Sequence, residues 1–294
     1  IGDTRRPLYY LSAAGVINVV LNLLFVITFR MDVAGVAAAT VISQCISAFL
    51  IIRCMMKEQS DIRLELSALH IYPDKFRRIL QIGLPASFQG IVFSFSNVII
   101  QSSVNSFGAV TVAGNSAAAN IEGFVYVSMN AFHQAAISFT SQNVGAAKYE
   151  RVNRILYTAQ ACVITVGVVF GNLAVLCGYP LLGMYTSSSA VMEAGMKRLA
   201  VICRYYALCG MMDVIVGSLR GLGYAMMPMI VSLIGACGLR LVWIFTFFRM
   251  ESFHTTTSLY MTYPVSWIVT FLAHVVCFII VRRKLERKWN CVKA

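Results

Sequence analysis

Charge is what this chain has least of. Among its 294 residues, Asp and Glu number 12 and Lys and Arg 24, so charged residues make up only 12%, against roughly a quarter in an ordinary soluble domain. With 59% apolar residues and a mean hydropathy of +0.74, a water-soluble fold is excluded. Histidine is scarce at four residues, and no HExxH or similar ligand spacing accompanies them, so His133 and His274 read as packing residues and no metal-centred chemistry is indicated. Nucleophile elbows, phosphate loops and dinucleotide fingerprints are missing too, which argues against an enzyme and against a bound cofactor. No CxxC pair occurs. The nine cysteines fall singly, mostly within apolar runs, which leaves no disulfide framework and reads them as small buried residues.

What the chain has is long apolar runs. Stretches at 8–29, 33–56, 79–104, 109–143, 152–177, 190–219, 225–248 and 258–281 each suffice to cross a bilayer, which takes about 20 residues. Eight spans place both ends and every second loop on one side. That side collects Arg5 and Arg6, the six basic residues from Arg53 to Arg78, then Lys148, Arg151, Arg154, Arg220 and the cluster from Arg282 to Lys293, in all 18 of the 24 Lys and Arg. The positive-inside bias makes it the cytoplasmic side. Basic residues spread loop by loop leave no solvated basic domain, so nucleic acid is not expected as a partner.

One connection is long. Residues 57–78, KEQSDIRLELSALHIYPDKFRR, mix both charge signs with Leu64, Leu66, Leu69 and Ile71, a pattern expected to lie as a helix on the cytoplasmic surface. It divides two spans from six. Residues 1–31 and 222–250 resemble each other: each has proline five residues after a glycine (Gly2 to Pro7, Gly223 to Pro228) and closes on Arg-Met. An internal repeat of this kind makes the first two spans the end of one copy and the last six a complete second copy, a known transporter plan.

Polar residues inside the spans fall at helical spacing. The third span offers Gly90, Ser94, Asn97, Gln101 and Asn105; the fourth Asn115, Ala119, Glu122, Tyr126, Met129 and His133. The first offers Gly15, Asn18 and Asn22, the sixth Tyr206, Cys209, Asp213 and Gly217, the eighth Tyr263, Trp267, Thr270 and His274. For one Asn or Ser, an interhelical hydrogen bond is the ordinary explanation; several aligned stripes predict a water-accessible cavity. Glu122 and Asp213 carry more, because an acid near the middle of a span costs about 2.5–3.5 kcal/mol on insertion scales and is a functional candidate by default. The plain alternative is a buried pair with Arg204 or Arg240. A carboxylate in a partly dry cavity can exchange a proton near neutrality, and it cannot hold proton, sodium and cationic cargo at once. Gly167 and Gly171 in GVVFG predict close helix approach, and Pro85, Pro180 and Pro264 predict kinks.

Taken in order, IGDTRRPLYY, IGLPASFQG (82–90), SFTSQNVGAAKYERVNR (138–154) and GSLRGLG (217–223) resemble the second portion of a multidrug and toxic compound extrusion transporter, over essentially residues 1–289. The resemblance implies an all-α membrane fold of twelve helices in two lobes, of which this chain supplies eight. Residues 1–56 would be the last two helices of the N-terminal lobe, 57–78 the linker, 79–289 the six-helix C-terminal lobe and 290–294 a cytoplasmic tail. The chain begins with Ile1, and about four helices are expected to precede it. Implied too are the bacterial inner membrane, a monomer in membrane lipid, and export of cationic or amphipathic compounds in exchange for protons or sodium. Asp213 and Glu122 are then the expected ion and cargo acids and a candidate sodium site, with Tyr126, Asn97, Gln101 and Tyr206 lining the cavity. Two departures leave the ion open. Phe93 stands where the sodium-coupled branch has an acid, and Cys209 where it has another, with Asp213 one turn later. A lipid-linked oligosaccharide flippase of the related superfamily, or a passive channel or receptor bundle, remains an alternative.

Overall fold

The computed structural model describes residues 5–58 and 63–293, with side chains through residue 286. The start of the repeat, at Gly2, four residues of the connection (59–62) and the side chains of Arg287, Lys288 and Lys293 lie outside the described residues. Every long element is helical, and two compact units divide between Tyr72 and Pro73.

The first unit is a helical hairpin. Helix α1 (Arg5–Leu23) runs on through a π-helical turn at Leu24–Thr28, and α2 (Asp32–Lys57) returns alongside it. Gly35, Ala39, Ser43 and Ser47 are the buried residues of α2; four apart each time, they form one stripe of small side chains along which α1 can approach closely. Asn22 donates to Asn18 Oδ1 at 3.0 Å and Asn18 to Ser43 Oγ at 3.1 Å. The Asn stripe of the first span thus bonds to itself and to its neighbour helix. Leu8, Val16, Val19 and Val20 stay exposed, as a lipid-facing surface requires.

Among its described residues, the connection does not form the expected surface helix. Among residues 63–72 only Leu66–Ala68 makes a short 3-10 turn, because Leu64, Leu66, Leu69 and Ile71 fall on different sides of a 3.6-residue helix. Helix α3 (Pro73–Asn105) takes in residues 73–78 of the predicted connection, where Pro73 at the first helical position and Asp74 in the first turn favour initiation.

The second unit continues with α4 (Ala109–Gly145), α5 (Arg151–Leu176), the short α6 (Gly178–Gly183), α7 (Ser189–Ile202), a 3-10 turn at Cys203–Tyr205 and α8 (Tyr206–Gly221). Then come α9 (Met226–Ser232), a π-helical stretch (Leu233–Gly238), α10 (Leu239–Phe245) and the long α11 (Thr256–Lys293). Seven helical segments among the described residues are long and apolar enough to span a membrane, with α7–α8 and α9–α10 each counting as one. Helix α4, at 37 residues, has the length but not the composition. It packs against α5, α7 and α8, and on its buried face Asn115, Glu122 and His133 bond to groups of neighbouring helices, so protein and not lipid satisfies these polar side chains.

Close approach of α5 to α7–α8 rests on the two GVVFG glycines. A Cβ on Gly167 would come within 2.7 Å of the Ala207 Cα, and one on Gly171 would run into the Cys203 carbonyl oxygen. Gly171→Ala is therefore expected to destabilise the protein by about 1–3 kcal/mol through overpacking. Gly123→Ala, where nothing lies within 4 Å of the added carbon, serves as the control that leaves the thermal midpoint unchanged or raised.

Candidate functional site

Two adjoining cavities open inside the second unit. The larger, about 460 Å³, is walled by α3, α4, α8, α10 and α11 and is lined by Phe93, Asn97, Tyr126, His133, Tyr206, Cys209, Asp213, Arg220, Arg240, Tyr263 and Trp267, among others. The smaller, about 300 Å³, is lined by Asn97, Gln101, Asn115, Glu122, Arg198, Tyr206, Tyr263 and Trp267 with their apolar neighbours. Asn97, Tyr206, Tyr263 and Trp267 border both.

Asp213 is set into the larger cavity by its helix. Gln160 on α5 donates to the Met211 carbonyl at 2.9 Å, and His133 on α4 meets the Asp213 carbonyl through Nδ1 at 2.6 Å. A carbonyl oxygen only accepts, so His133 carries its proton on Nδ1. Gly217 lets α8 approach α4 to the point where a Cβ would sit 2.7 Å from the His133 carbonyl. With the backbone tethered on two sides, the Asp213 side chain lines the cavity. No hydrogen bond or ion pair reaches its carboxylate among the described residues. Arg220 lines the same cavity and donates to Gln89 Oε1 at 2.6 Å.

Glu122 is placed differently. Arg198 grips it with two parallel hydrogen bonds, Nε to Oε1 at 2.8 Å and Nη2 to Oε2 at 2.7 Å, and Nη1 donates to Asn115 Oδ1 at 2.7 Å. Asn115 in turn donates to Gln101, and Gln101 to Asn105. Both ends of the pair are buried. The alternative reading of Glu122 as one of a buried pair holds, but its partner is neither Arg240 nor Arg204, which is exposed; Arg198 takes the place. Arg198 lies four and eight residues before Ile202 and Tyr206, so it continues the α8 stripe back through the 3-10 turn into α7. That spacing was the available signal.

Aromatic rings fill the boundary between the cavities. Tyr126 and Tyr206 lie 6.5 Å apart, Tyr206 and Trp267 5.4 Å, and Tyr263 and Trp267 5.8 Å between centroids. Arg240 sits 4.3 Å from the Tyr263 centroid and 5.9 Å from that of Trp267. Of the predicted site residues, Asp213, Tyr126, Asn97 and Tyr206 meet at the larger cavity, while Glu122 and Gln101 line the smaller with Asn97 and Tyr206. His274 bonds Ser232 Oγ at 3.0 Å, joining α11 to α9. Asp213 offers a small or organic cation a carboxylate with aromatic rings nearby, while Arg220 and Arg240 in the same lining give the cavity positive charge as well.

The MatE family model matches residues 85–246, more than half of the chain. A probable multidrug resistance protein, YpnP of Bacillus subtilis (strain 168), is 30% identical over 247 residues, covering 82% of this chain and 54% of that protein. Another, NorM of Thermotoga maritima, is 23% identical over 248 residues, covering 82% and 52%. Among solved structures, an outward-facing multidrug resistance MATE family transporter of the MOP superfamily superposes with a TM-score of 0.81 at 17% identity, covering 93% of this chain and 61% of that one. The Vibrio cholerae transporter VcmN in its bent form gives 0.80 at 18% identity, covering 98% and 64%. The chain spans about half the length of the curated relatives it matches.

Proposed function

The chain belongs to the MatE family, and on that premise we propose that it forms part of a secondary active exporter of cationic or amphipathic compounds, driven by exchange for protons or sodium ions. Residues 1–56 supply the last two helices of an N-terminal lobe and residues 79–289 a C-terminal lobe, joined by the connection at 57–78. The repeat between residues 1–31 and 222–250 supports that division. The basic loops face the cytoplasm, the protein resides in the inner membrane, and the whole transporter works as a monomer.

One observation carries the reading: Asp213, unpaired among the described residues, lines an aromatic cavity of about 460 Å³. In such a place an acid can hold the coupling ion or a cationic cargo but not both, and that exclusion is what couples the two movements. Glu122, sharing its charge with Arg198, is not free to exchange in this way. We therefore assign coupling in this lobe to Asp213 and give Glu122 the task of holding α4 to α7.

Everted vesicles carrying the protein, expressed from its complete reading frame, provide the test. Ethidium should accumulate when a proton or sodium gradient is imposed and leave when it is collapsed. Accumulation indifferent to both gradients overturns antiport. Ion conduction without cargo would indicate a channel, and competition by a lipid pyrophosphate a flippase.

A further inference from the structure

The second unit buries two arginines near its cavities, and they are treated unequally. Arg198 finds its acid in the chain, gripping both oxygens of Glu122. Arg240 is 3% exposed and has none: its Nε donates to Ser266 Oγ at 2.9 Å, and no hydrogen bond or ion pair reaches Nη1 or Nη2 among the described residues. The guanidinium instead lies against Tyr263 and Trp267 and lines the larger cavity. A buried cation without a counter-charge is costly, and stacking on two rings offsets only part of the cost.

The local backbone is irregular at this point. A π-helical stretch, Leu233–Gly238, ends two residues before Arg240, and such widened turns within helices occur often at functional sites. Ser266, which holds Nε, is itself fixed by donating to the Tyr263 carbonyl at 2.8 Å. The fork is thus oriented from one side, with its two outer nitrogens left over.

We propose that Arg240 is an anion anchor, and that the cavity takes aromatic organic acids, with the carboxylate or sulfonate on Nη1 and Nη2 and the ring system against Tyr263 and Trp267. The ligand supplies the counter-charge that Glu122 supplies to Arg198. A planar guanidinium matches a carboxylate or sulfonate through two parallel hydrogen bonds, which a lysine in the same place would not reproduce. This deepens the reading of the cavity as a cargo site and rests on it: cargo would then include molecules bearing an acidic group, not cations alone.

Calorimetry on the complete protein in lipid nanodiscs, with three probes built on one ring system, tests the proposal. The probes are naphthalenesulfonate, its neutral methyl sulfone and naphthyltrimethylammonium. In the unaltered protein the sulfonate should bind at least about tenfold tighter than the sulfone, the range of a charged hydrogen bond. Arg240→Gln should erase that preference, and Arg240→Lys should restore part of it. Equal binding of sulfone and sulfonate by the unaltered protein overturns the anchor without reference to any variant. So does a preference that survives Arg240→Gln. If the ammonium probe binds and the sulfonate does not, the anchor alone is wrong; if none of the three binds, the cargo-site reading falls with it.

Discussion

Arg198→Ala is expected to cost the fold about 3–5 kcal/mol, because it leaves the Glu122 carboxylate buried without a counter-charge. Three hydrogen bonds go with it, two to Glu122 and one to Asn115. The loss should appear as a fall in the thermal midpoint of the purified protein and in the amount recovered from the membrane. Glu122→Leu combined with Arg198→Met keeps the volume and removes both charges, so it should cost far less than either single alanine substitution. That ordering separates a packing clamp from an exchange site. If the double variant is as unstable as Arg198→Ala, the electrostatic account of the pair is wrong.

Asp213→Asn has the largest expected effect on transport: gradient-driven accumulation should fall to background, about a hundredfold or more, with the thermal midpoint little changed. Asparagine fits the same space and fills the same wall but cannot change charge. Because the carboxylate makes no hydrogen bond or ion pair among the described residues, removing its charge breaks no fixed contact. What is lost is the competition between ion and cargo. The chemically matched change Glu122→Gln should act the other way, lowering yield and stability while the transport per folded molecule persists. Normal accumulation by Asp213→Asn would dismiss the assignment.

The spans were legible because lipid imposes length and apolarity on any helix that faces it. Helix α4 shows where composition alone falls short: one of its faces packs against α5, α7 and α8 and carries Asn115, Glu122 and His133, and those polar residues lower its hydropathy while marking the face that meets protein. Spacing along one helix fixes a face, which assigns Asn97 on α3, Tyr126 on α4, and Tyr206 and Asp213 on α8 each to a polar stripe; that these stripes meet at one cavity follows from how the helices pack. Spacing does not say which charge meets which across helices. Glu122 and Arg198 are 76 residues apart, and their meeting depends on how α4 packs on α7. The first-span asparagines make the same point from the other side: Asn18 and Asn22 have the spacing of a wet face, yet Asn22 bonds to Asn18 and Asn18 to Ser43 on the small-residue stripe of α2.

Tyr206, Trp267 and Tyr263 stand as a septum between two chambers that share a wall. A molecule lodged beside Asp213 is thereby screened from the Glu122–Arg198 clamp. Shrinking Trp267 would open a doorway, and its first casualty should be the rigidity of the lobe.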